Sequence, residues 1–150
     1  MLENDMSDQK RQQSWKTDLI EQALKARSFS YAPYSGYRVG AALLCKDGTV
    51  YTGCNVENAS YGAANCAERT AVFKAVSEGR REFTAIAVTG GRDDGEMDFA
   101  YPCGICRQVL REFVDPEQFV VLVGKSPVDY KEMTLAALLP ASFGPNNLGL

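Results

Sequence analysis

Residues 39–54 read VGAALLCKDGTVYTGC, and this stretch carries the clearest structural signal in the chain. Residues 39–45 are apolar or small, a short run of the kind that forms one buried strand. Asp47-Gly48 is a residue pair that favours the tight turn of a hairpin. A second strand follows the turn and ends at Cys54. We therefore predict a β-hairpin made of these two strands.

Helices and strands alternate outside this hairpin. Apolar residues at helical spacing predict helices, and short apolar runs predict strands. The predicted helices span residues 14–28, 66–78, 102–113 and 134–139. The further predicted strands span residues 83–89, 119–123 and about 128–131. This order implies an α/β protein, a three-layer α/β/α sandwich with a mixed five-stranded sheet.

The length and composition of the chain suit one domain. The chain has 150 residues, of which 45% are apolar and 23% charged, and these are ordinary values for a globular protein. We predict a single domain over residues 14–150. Residues 1–13 are predicted to form a disordered polar arm, and about the last ten residues an irregular tail.

The N-terminal region and the apolar runs indicate where the protein acts. Residues 1–15 contain no apolar core, so we expect no signal peptide. The longest apolar runs, residues 40–45 and 119–124, are too short to span a membrane. We therefore expect a cytoplasmic protein. Its thiols would stay reduced there and would be available for a metal or for catalysis.

The charge of the chain argues against a nucleic-acid partner. The formal net charge is −3 and the isoelectric point is about 5.0. Proteins that bind nucleic acids usually carry a basic patch or stripe, and the sequence contains none. The expected partner is a small, neutral molecule rather than a nucleic acid or a membrane.

The sequence contains no histidine. This excludes Ser-His-Asp and Cys-His mechanisms, which need an imidazole as base. Proton transfer near neutral pH must come instead from a tuned carboxylate, a Cys, Lys or Tyr side chain, or a metal-bound water.

Two short motifs, Cys66-Ala67-Glu68 and Pro102-Cys103-Gly104-Ile105-Cys106, each open a predicted helix. Cys103 and Cys106 are three residues apart and so share one helix face. If the two helix starts lie side by side, three thiolates converge on one zinc ion. Three protein ligands leave the fourth position open for water, which is typical of a catalytic zinc site.

Residues next to these cysteines could complete the chemistry. Three thiolates with Zn²⁺ carry a net charge of −1, which weakens the pull of the metal on a bound water. Helix N-termini and hydrogen bonds from Arg69 would draw charge off the sulfurs. Glu68 would lie near the metal without being a ligand, and could move protons between the water and a substrate.

Simpler interpretations of these residues stay open at this point. Asn65 and Glu68 have the spacing of a helix N-cap and its reciprocal Glu. A lone C-x-x-C can be a redox pair or two buried thiols. Cys54 could join the other cysteines in a closed structural zinc site. We expect Cys45 and Cys54 to be small core residues.

The chain resembles the zinc-dependent deaminases that act on cytosine, and within them the small homotetrameric cytidine deaminases. The resemblance runs from about residue 18 to the tail. It is densest in VGAALL at residues 39–44, GCNVEN at 53–58, NCAERT at 65–70 and PCGICRQ at 102–108.

The resemblance implies roles for further residues. Asn55 and Glu57 would hold the ribose hydroxyl, and the backbone N–H groups near Ala67 would hold the base. Tyr37 matches a position in the base pocket where the family usually has Phe. Phe143 and Tyr61 match aromatic residues that line a neighbouring subunit's site. The resemblance therefore implies a homotetramer with shared active sites, and residues 90–101 form a loop longer than in compact members.

The implied reaction is the hydrolytic deamination of free cytidine and deoxycytidine to uridine and deoxyuridine, a step of pyrimidine salvage. A zinc-bound hydroxide, formed when Glu68 takes a proton, would attack C4 and release ammonia. One zinc per chain, on Cys66, Cys103 and Cys106, is expected. The alternatives are a deaminase of another substrate within this superfamily, and a non-catalytic zinc or redox module.

Overall fold

The computed structural model describes the backbone of residues 2–150 and the side chains of these residues except 2–6 and 12. Helices and strands follow one another as the sequence predicts. The helices are α1 (Leu2–Arg27), α2 (Ala67–Ser77), α3 (Gly104–Phe113) and α4 (Leu135–Leu138). The strands are β1 (Tyr37–Cys45), β2 (Val50–Cys54), β3 (Phe83–Arg92), β4 (Met97–Asp98), β5 (Val120–Ser126) and β6 (Asp129–Thr134). Short 3-10 helices lie at Tyr61–Ala63 and Pro145–Leu148.

The strands described within residues 2–150 form one mixed sheet. Five of them follow the order β2-β1-β3-β5-β6, and the short β4 pairs with β3. The pairs β1–β2, β1–β3 and β5–β6 are antiparallel, and β3–β5 is parallel. The prediction of a mixed α/β sheet is confirmed, with β4 as an addition to the five expected strands.

Helices cover both faces of the sheet. Leu19, Ile20 and Ala23 of α1 pack on one face. Helices α2 and α3 cover the other face, where Val72 and Leu110 are buried. Side chains alternate along each strand, so successive residues of β1 belong to opposite layers. This arrangement is the expected three-layer α/β/α sandwich.

The N-terminal helix differs from the sequence prediction. Helix α1 begins at Leu2, whereas the apolar pattern predicted a helix from residue 14 and a disordered arm at residues 1–13. Residues 2–13 contain many residues that favour helix, such as Leu, Glu, Gln, Lys and Arg, and neither Gly nor Pro. The helix therefore continues without an apolar pattern to mark it; Met1 lies outside the described residues.

No helix in the described part of the chain is both long enough and apolar enough to cross a membrane.

Candidate functional site

Three cysteine sulfurs converge where the N-termini of α2 and α3 meet. Cys66 is the N-cap residue of α2 and Cys103 that of α3. The Sγ atoms of Cys66 and Cys103 are 3.8 Å apart, and those of Cys103 and Cys106 are 3.6 Å apart. All three sulfurs lie within 4.8 Å of one another. The convergence that the sequence predicted is therefore present.

The spacing of these sulfurs fits a tetrahedral metal ion. Two sulfurs that each lie about 2.3 Å from a zinc ion at the tetrahedral angle are about 3.8 Å apart. The measured separations of 3.8 and 3.6 Å agree with this value. A cluster of three thiols with no fourth protein ligand among the described residues leaves one coordination position for a small molecule.

Arg69 stabilises the ionised form of Cys66 in this cluster. Its Nη2 donates a hydrogen bond to Cys66 Sγ at 3.3 Å. The hydrogen bond with Cys106 and the guanidinium of Arg69 together lower the pKa of the Cys66 thiol to about 5, although burial opposes the shift. The helix N-terminus favours a thiolate for the same electrostatic reason. Arg69 therefore makes the contact that the sequence analysis expected of it.

Glu68 is buried beside the sulfur cluster. Its exposed fraction is 4%, and its carboxyl group lies close enough to the Cys106 thiol to interact with it. Burial raises the pKa of Glu68 to about 7. A carboxyl group with this pKa can both accept and donate a proton near neutral pH.

The simpler interpretations of these residues lose support. The N-cap of α2 is Cys66 rather than Asn65, and the Cys66 side chain makes no capping hydrogen bond. The Asn65 amide donates instead to Thr70 Oγ1 at 3.2 Å. Cys54 does not belong to the sulfur cluster. Cys54, Cys66, Cys103 and Cys106 therefore do not form a closed four-cysteine metal site.

Gly53 allows the first turn of α2 to approach strand β2. A Cβ atom at Gly53 would lie 2.5 Å from the Ala67 carbonyl oxygen and 2.6 Å from the Ala71 backbone nitrogen. These distances are shorter than any carbon atom tolerates, so a side chain here would push the helix away. The close contact places the start of α2 against β2, and Glu68 and Asn55 line the same pocket.

A pocket of about 380 Å³ opens in front of Glu68 and the sulfurs. Its lining combines titratable groups with apolar and aromatic side chains, as ligand sites usually do. The lining residues are Ser35, Tyr37, Val39, Asn55, Glu57, Cys66, Ala67, Glu68, Phe99, Ala100, Tyr101 and Cys103. Of the residues predicted for substrate binding, Tyr37, Asn55, Glu57 and Ala67 line this pocket.

Asn55 is held tightly by the neighbouring strand. Its Oδ1 accepts a hydrogen bond from the Val39 backbone N–H at 2.8 Å and another from the Ser30 hydroxyl. Its Nδ2 donates to the Tyr37 carbonyl at 2.8 Å. One Nδ2 hydrogen is left without a protein acceptor among the described residues, and it is available to a ligand.

Glu57 lies two residues beyond Asn55 and binds the loop that precedes β1. Its Oε1 accepts hydrogen bonds from the backbone N–H groups of Tyr34, at 3.0 Å, and Ser35, at 3.1 Å. Its Oε2 accepts from the Ser35 hydroxyl at 2.5 Å. These bonds, led by that of the Ser35 side chain, lower the pKa of Glu57 below its usual value. The pocket therefore presents an ionised carboxylate at neutral pH.

Tyr61 and Phe143 do not line this pocket. Tyr61 is 78% exposed and its ring meets that of Tyr34 edge to face at a centroid distance of 6.0 Å. Phe143 is 60% exposed, and its carbonyl accepts a hydrogen bond from Gln108 at 2.9 Å. Tyr61 lines an adjacent pocket that shares Ser35 and Glu57 with this one. The contribution of Tyr61 and Phe143 to a neighbouring subunit stays a prediction.

Several residues of the pocket are not among those predicted from the sequence. Phe99, Ala100 and Tyr101 line it, and they immediately precede Pro102 and Cys103, which could have indicated their position. Ser35 supports Glu57 from a loop that is distant in sequence. Nothing in the local pattern around Ser35 indicates that contact.

The family comparison agrees with this geometry. The family model described as "Cytidine and deoxycytidylate deaminase zinc-binding region" matches residues 13–123, which include Cys66, Glu68, Cys103 and Cys106. A zinc-binding region that coincides with the three-sulfur cluster fits one zinc ion per chain.

Individual proteins are similar over most of the chain. A cytidine deaminase of Halalkalibacterium halodurans is 52% identical over 125 residues, covering 83% of this chain and 91% of that protein. A probable cytidine deaminase of Dictyostelium discoideum is 45% identical over 129 residues, covering 86% and 84%. The crystal structure of cytidine deaminase from Burkholderia pseudomallei matches with a TM-score of 0.76 and 48% identity, over 84% of this chain and 97% of that one. These matches show that the chain belongs to the cytidine and deoxycytidylate deaminase family.

Proposed function

We propose that this protein hydrolyses the 4-amino group of free cytidine and deoxycytidine, giving uridine or deoxyuridine and ammonia in pyrimidine salvage. The observation that carries the proposal is the buried carboxyl group of Glu68 beside three converging sulfurs, in the wall of a pocket. The names of the similar proteins support cytidine as the substrate.

Cys66, Cys103 and Cys106 are the proposed zinc ligands. Zinc held there would act as a Lewis acid and activate a water molecule. Arg69 offsets the negative charge of the thiolates through its hydrogen bond to Cys66. This compensation matters because three uncompensated thiolates would weaken the activation of the water.

Glu68 is the proposed proton shuttle. Its carboxylate takes a proton from the attacking water and delivers it to N3 of the cytosine ring as the new C4–O bond forms. It then carries the second proton of the water to the amino group, and the C4–N bond breaks to release ammonia. A pKa of about 7 suits both transfers, because the group is neither fully ionised nor fully protonated near neutral pH.

Asn55 and Glu57 are proposed to bind the sugar. The remaining Nδ2 hydrogen of Asn55 can donate to a ribose hydroxyl, and the Glu57 carboxylate can accept from it. Both side chains are already fixed by hydrogen bonds to the protein, so little ordering is needed when the substrate binds. The Ala67 backbone and the Tyr37 ring, which line the inner pocket, are proposed to contact the base.

The wider setting is part of the proposal. Residues 14–150 act as a single cytidine deaminase domain, in the cytoplasm, as a homotetramer. Tyr61 and Phe143 contribute to the site of a neighbouring subunit. Their high exposure in the isolated chain supports this role, since large aromatic side chains gain from burial against a partner.

Ammonia release by the purified protein tests this function. Release from cytidine, stopped by a zinc chelator and restored by added zinc, is the expected result. Cytidine 5′-monophosphate, free cytosine and single-stranded RNA serve as comparison substrates. Faster release from one of these would assign the protein to another deaminase activity, and no release from any would contradict a deaminase.

A further inference from the structure

Residues 90–101, the loop to which the sequence assigns no role, form a hairpin that reaches the pocket. In the sheet, Val39 of β1 pairs with Gly90 of β3, and Gly90 pairs with Asp98 of β4. Residues that pair directly across antiparallel strands point to the same face. Tyr37, two residues before Val39, points to that face as well. Tyr37 and Asp98 therefore lie on one face, on opposite sides of Gly90.

The absence of a side chain at Gly90 lets Tyr37 reach across β3. A Cβ atom at Gly90 would lie 3.3 Å from Tyr37 Cε1 and 2.6 Å from Ala100 Cβ. The Tyr37 ring thus lies directly over Gly90. Its hydroxyl group lies close enough to the Asp98 carboxylate for the two to interact, and this carboxylate can be the partner that a partly buried tyrosine hydroxyl needs.

The electrostatics agree with this contact. Partial burial and the negative charge of Asp98 raise the pKa of Tyr37 above its usual value. The phenol therefore stays protonated and can donate a hydrogen bond to the carboxylate. A hydrogen bond to an ionised acceptor is stronger than one between neutral groups.

Phe99, the residue after Asp98, attaches the same hairpin to β5 and β6. Lys125 Nζ lies 4.6 Å and Lys131 Nζ 4.4 Å from the centroid of the Phe99 ring. Both distances are within the range of a cation–π interaction. Because β5 and β6 carry these lysines, the hairpin is attached to the edge of the sheet at Phe99 and to β1 at Asp98.

We propose that Asp98 is a positioning residue, which fixes the Tyr37 ring in the wall of the pocket so that the ring meets the bound base. Asp98 does not itself line the pocket, whereas Tyr37 does, so Asp98 acts through Tyr37. The inference rests on the proposed function, because it assumes that a cytosine ring occupies the space beside Tyr37.

A double-mutant cycle with cytidine as substrate tests the proposal. Asp98→Ala is expected to raise KM about three- to tenfold, as for the loss of one hydrogen bond of ordinary net strength, with kcat within about twofold. In the Tyr37→Phe background the same substitution should change KM by less than about twofold, since the hydroxyl is already gone. Asp98→Asn keeps an acceptor oxygen, so its KM should be much closer to the wild-type value than that of Asp98→Ala.

Glu96→Ala is the matched control. Glu96 is an exposed acid in the same hairpin, and in the described part of the chain its carboxylate has no hydrogen bond or ion pair. Glu96→Ala should therefore leave KM unchanged. Equal increases of KM for Asp98→Ala in both backgrounds, or no increase in the wild-type background, would overturn the proposal.

A second measurement does not depend on activity. Carbon-13 NMR of tyrosine Cζ, with the Tyr37 signal assigned from Tyr37→Phe, follows the ionisation of the phenol. Asp98→Ala should lower the pKa of Tyr37, and Glu96→Ala should not. An unmoved Tyr37 pKa would refute the contact, even if the protein had no activity on cytidine. A moved pKa in a protein inactive on cytidine would show that only the proposed function had failed.

Discussion

The Sγ atoms of Cys66 and Cys103 lie 3.8 Å apart although the residues are 37 positions apart in the chain. Each is the N-cap residue of a helix, and both residues line one pocket. The metal site is therefore built from two helix N-termini, whose free N–H groups and dipoles favour the ionised sulfurs.

Metal content is the first prediction. Replacing Cys66, Cys103 or Cys106 by Ala should abolish tight zinc binding, because only two thiolates remain in each variant. Cys54→Ala is the control, since Cys54 lies outside the cluster, and it should keep about one zinc per chain. Elemental analysis of the purified variants checks this. Loss of zinc from Cys54→Ala as complete as from Cys103→Ala would require a closed four-cysteine site.

Glu68→Gln should keep the fold and the zinc but lose activity. A glutamine cannot carry protons, and general acid–base catalysis contributes about 10²- to 10⁴-fold to rates. We expect kcat on cytidine to fall by at least about 10²-fold. Glu78→Gln, at the other end of α2, is the control and should be fully active. Activity of Glu68→Gln within a few-fold of wild type would leave Glu68 with a structural role only.

The three-sulfur cluster could be predicted from the sequence because its signals are local. The spacing of Cys103 and Cys106 and the start of each helix are properties of a few consecutive residues. The contact of Tyr37 with Asp98 could not be predicted in this way. It depends on the register of β4. This strand has only two residues, too few for an alternation of apolar and polar residues to indicate it.

The difference between local and long-range signals also explains why the contact of Ser35 with Glu57 was not predicted. Ser35 meets Glu57 because Val56 forms bridges with Tyr31 and with Asn65, and such pairings between distant segments leave no local pattern. The start of α1 at Leu2 was missed for another reason. Its first turns are predominantly polar in sequence, so helix propensity alone marks them.

Sugar recognition is the third prediction. Asn55→Ala and Glu57→Ala should each reduce kcat/KM for cytidine strongly and change the low activity on free cytosine little. A lost buried hydrogen-bond partner costs about 1–3 kcal/mol. Asn55→Ala should also lower the free energy of unfolding, because Asn55 binds the backbone of β1. Equal losses of activity on cytosine and cytidine would assign both residues to the fold alone.

The pH dependence of stability should change in Glu57→Gln. Hydrogen bonds from Ser35 hold the pKa of Glu57 below its usual 4.5, so the folded state favours the ionised carboxylate. That stabilisation is complete above about pH 5 and is lost as the pH falls through the folded-state pKa. Wild type should therefore exceed Glu57→Gln in free energy of unfolding at pH 7, by less than about 1 kcal/mol at this partly exposed site. Denaturant unfolding at pH 7 and pH 4 measures the difference, and a gap that widens at pH 4 would contradict it.

The C-terminal tail has an arrangement that bears on assembly. Its polar groups are bound to α3: Arg111 Nε donates to Ser142 Oγ at 2.9 Å, and Arg111 Nη2 to Asn146 Oδ1 at 2.6 Å. Its large apolar side chains, Phe143, Leu148 and Leu150, are nevertheless exposed. A tail that folded back only to bury its apolar residues would have these three side chains buried and its polar groups exposed.

Assembly is the last prediction. We expect the full chain to sediment as a homotetramer, because the exposed apolar side chains of the tail gain from burial against a second copy. A chain ending at Pro140 should lose most of its activity, and Phe143→Ala should raise KM while the tail stays docked through Arg111. Val128→Ala is the control, since Val128 is also exposed but lies in the β5–β6 turn. A full-length monomer with normal activity would contradict a shared site. A truncated chain with full activity would remove Phe143 from the site.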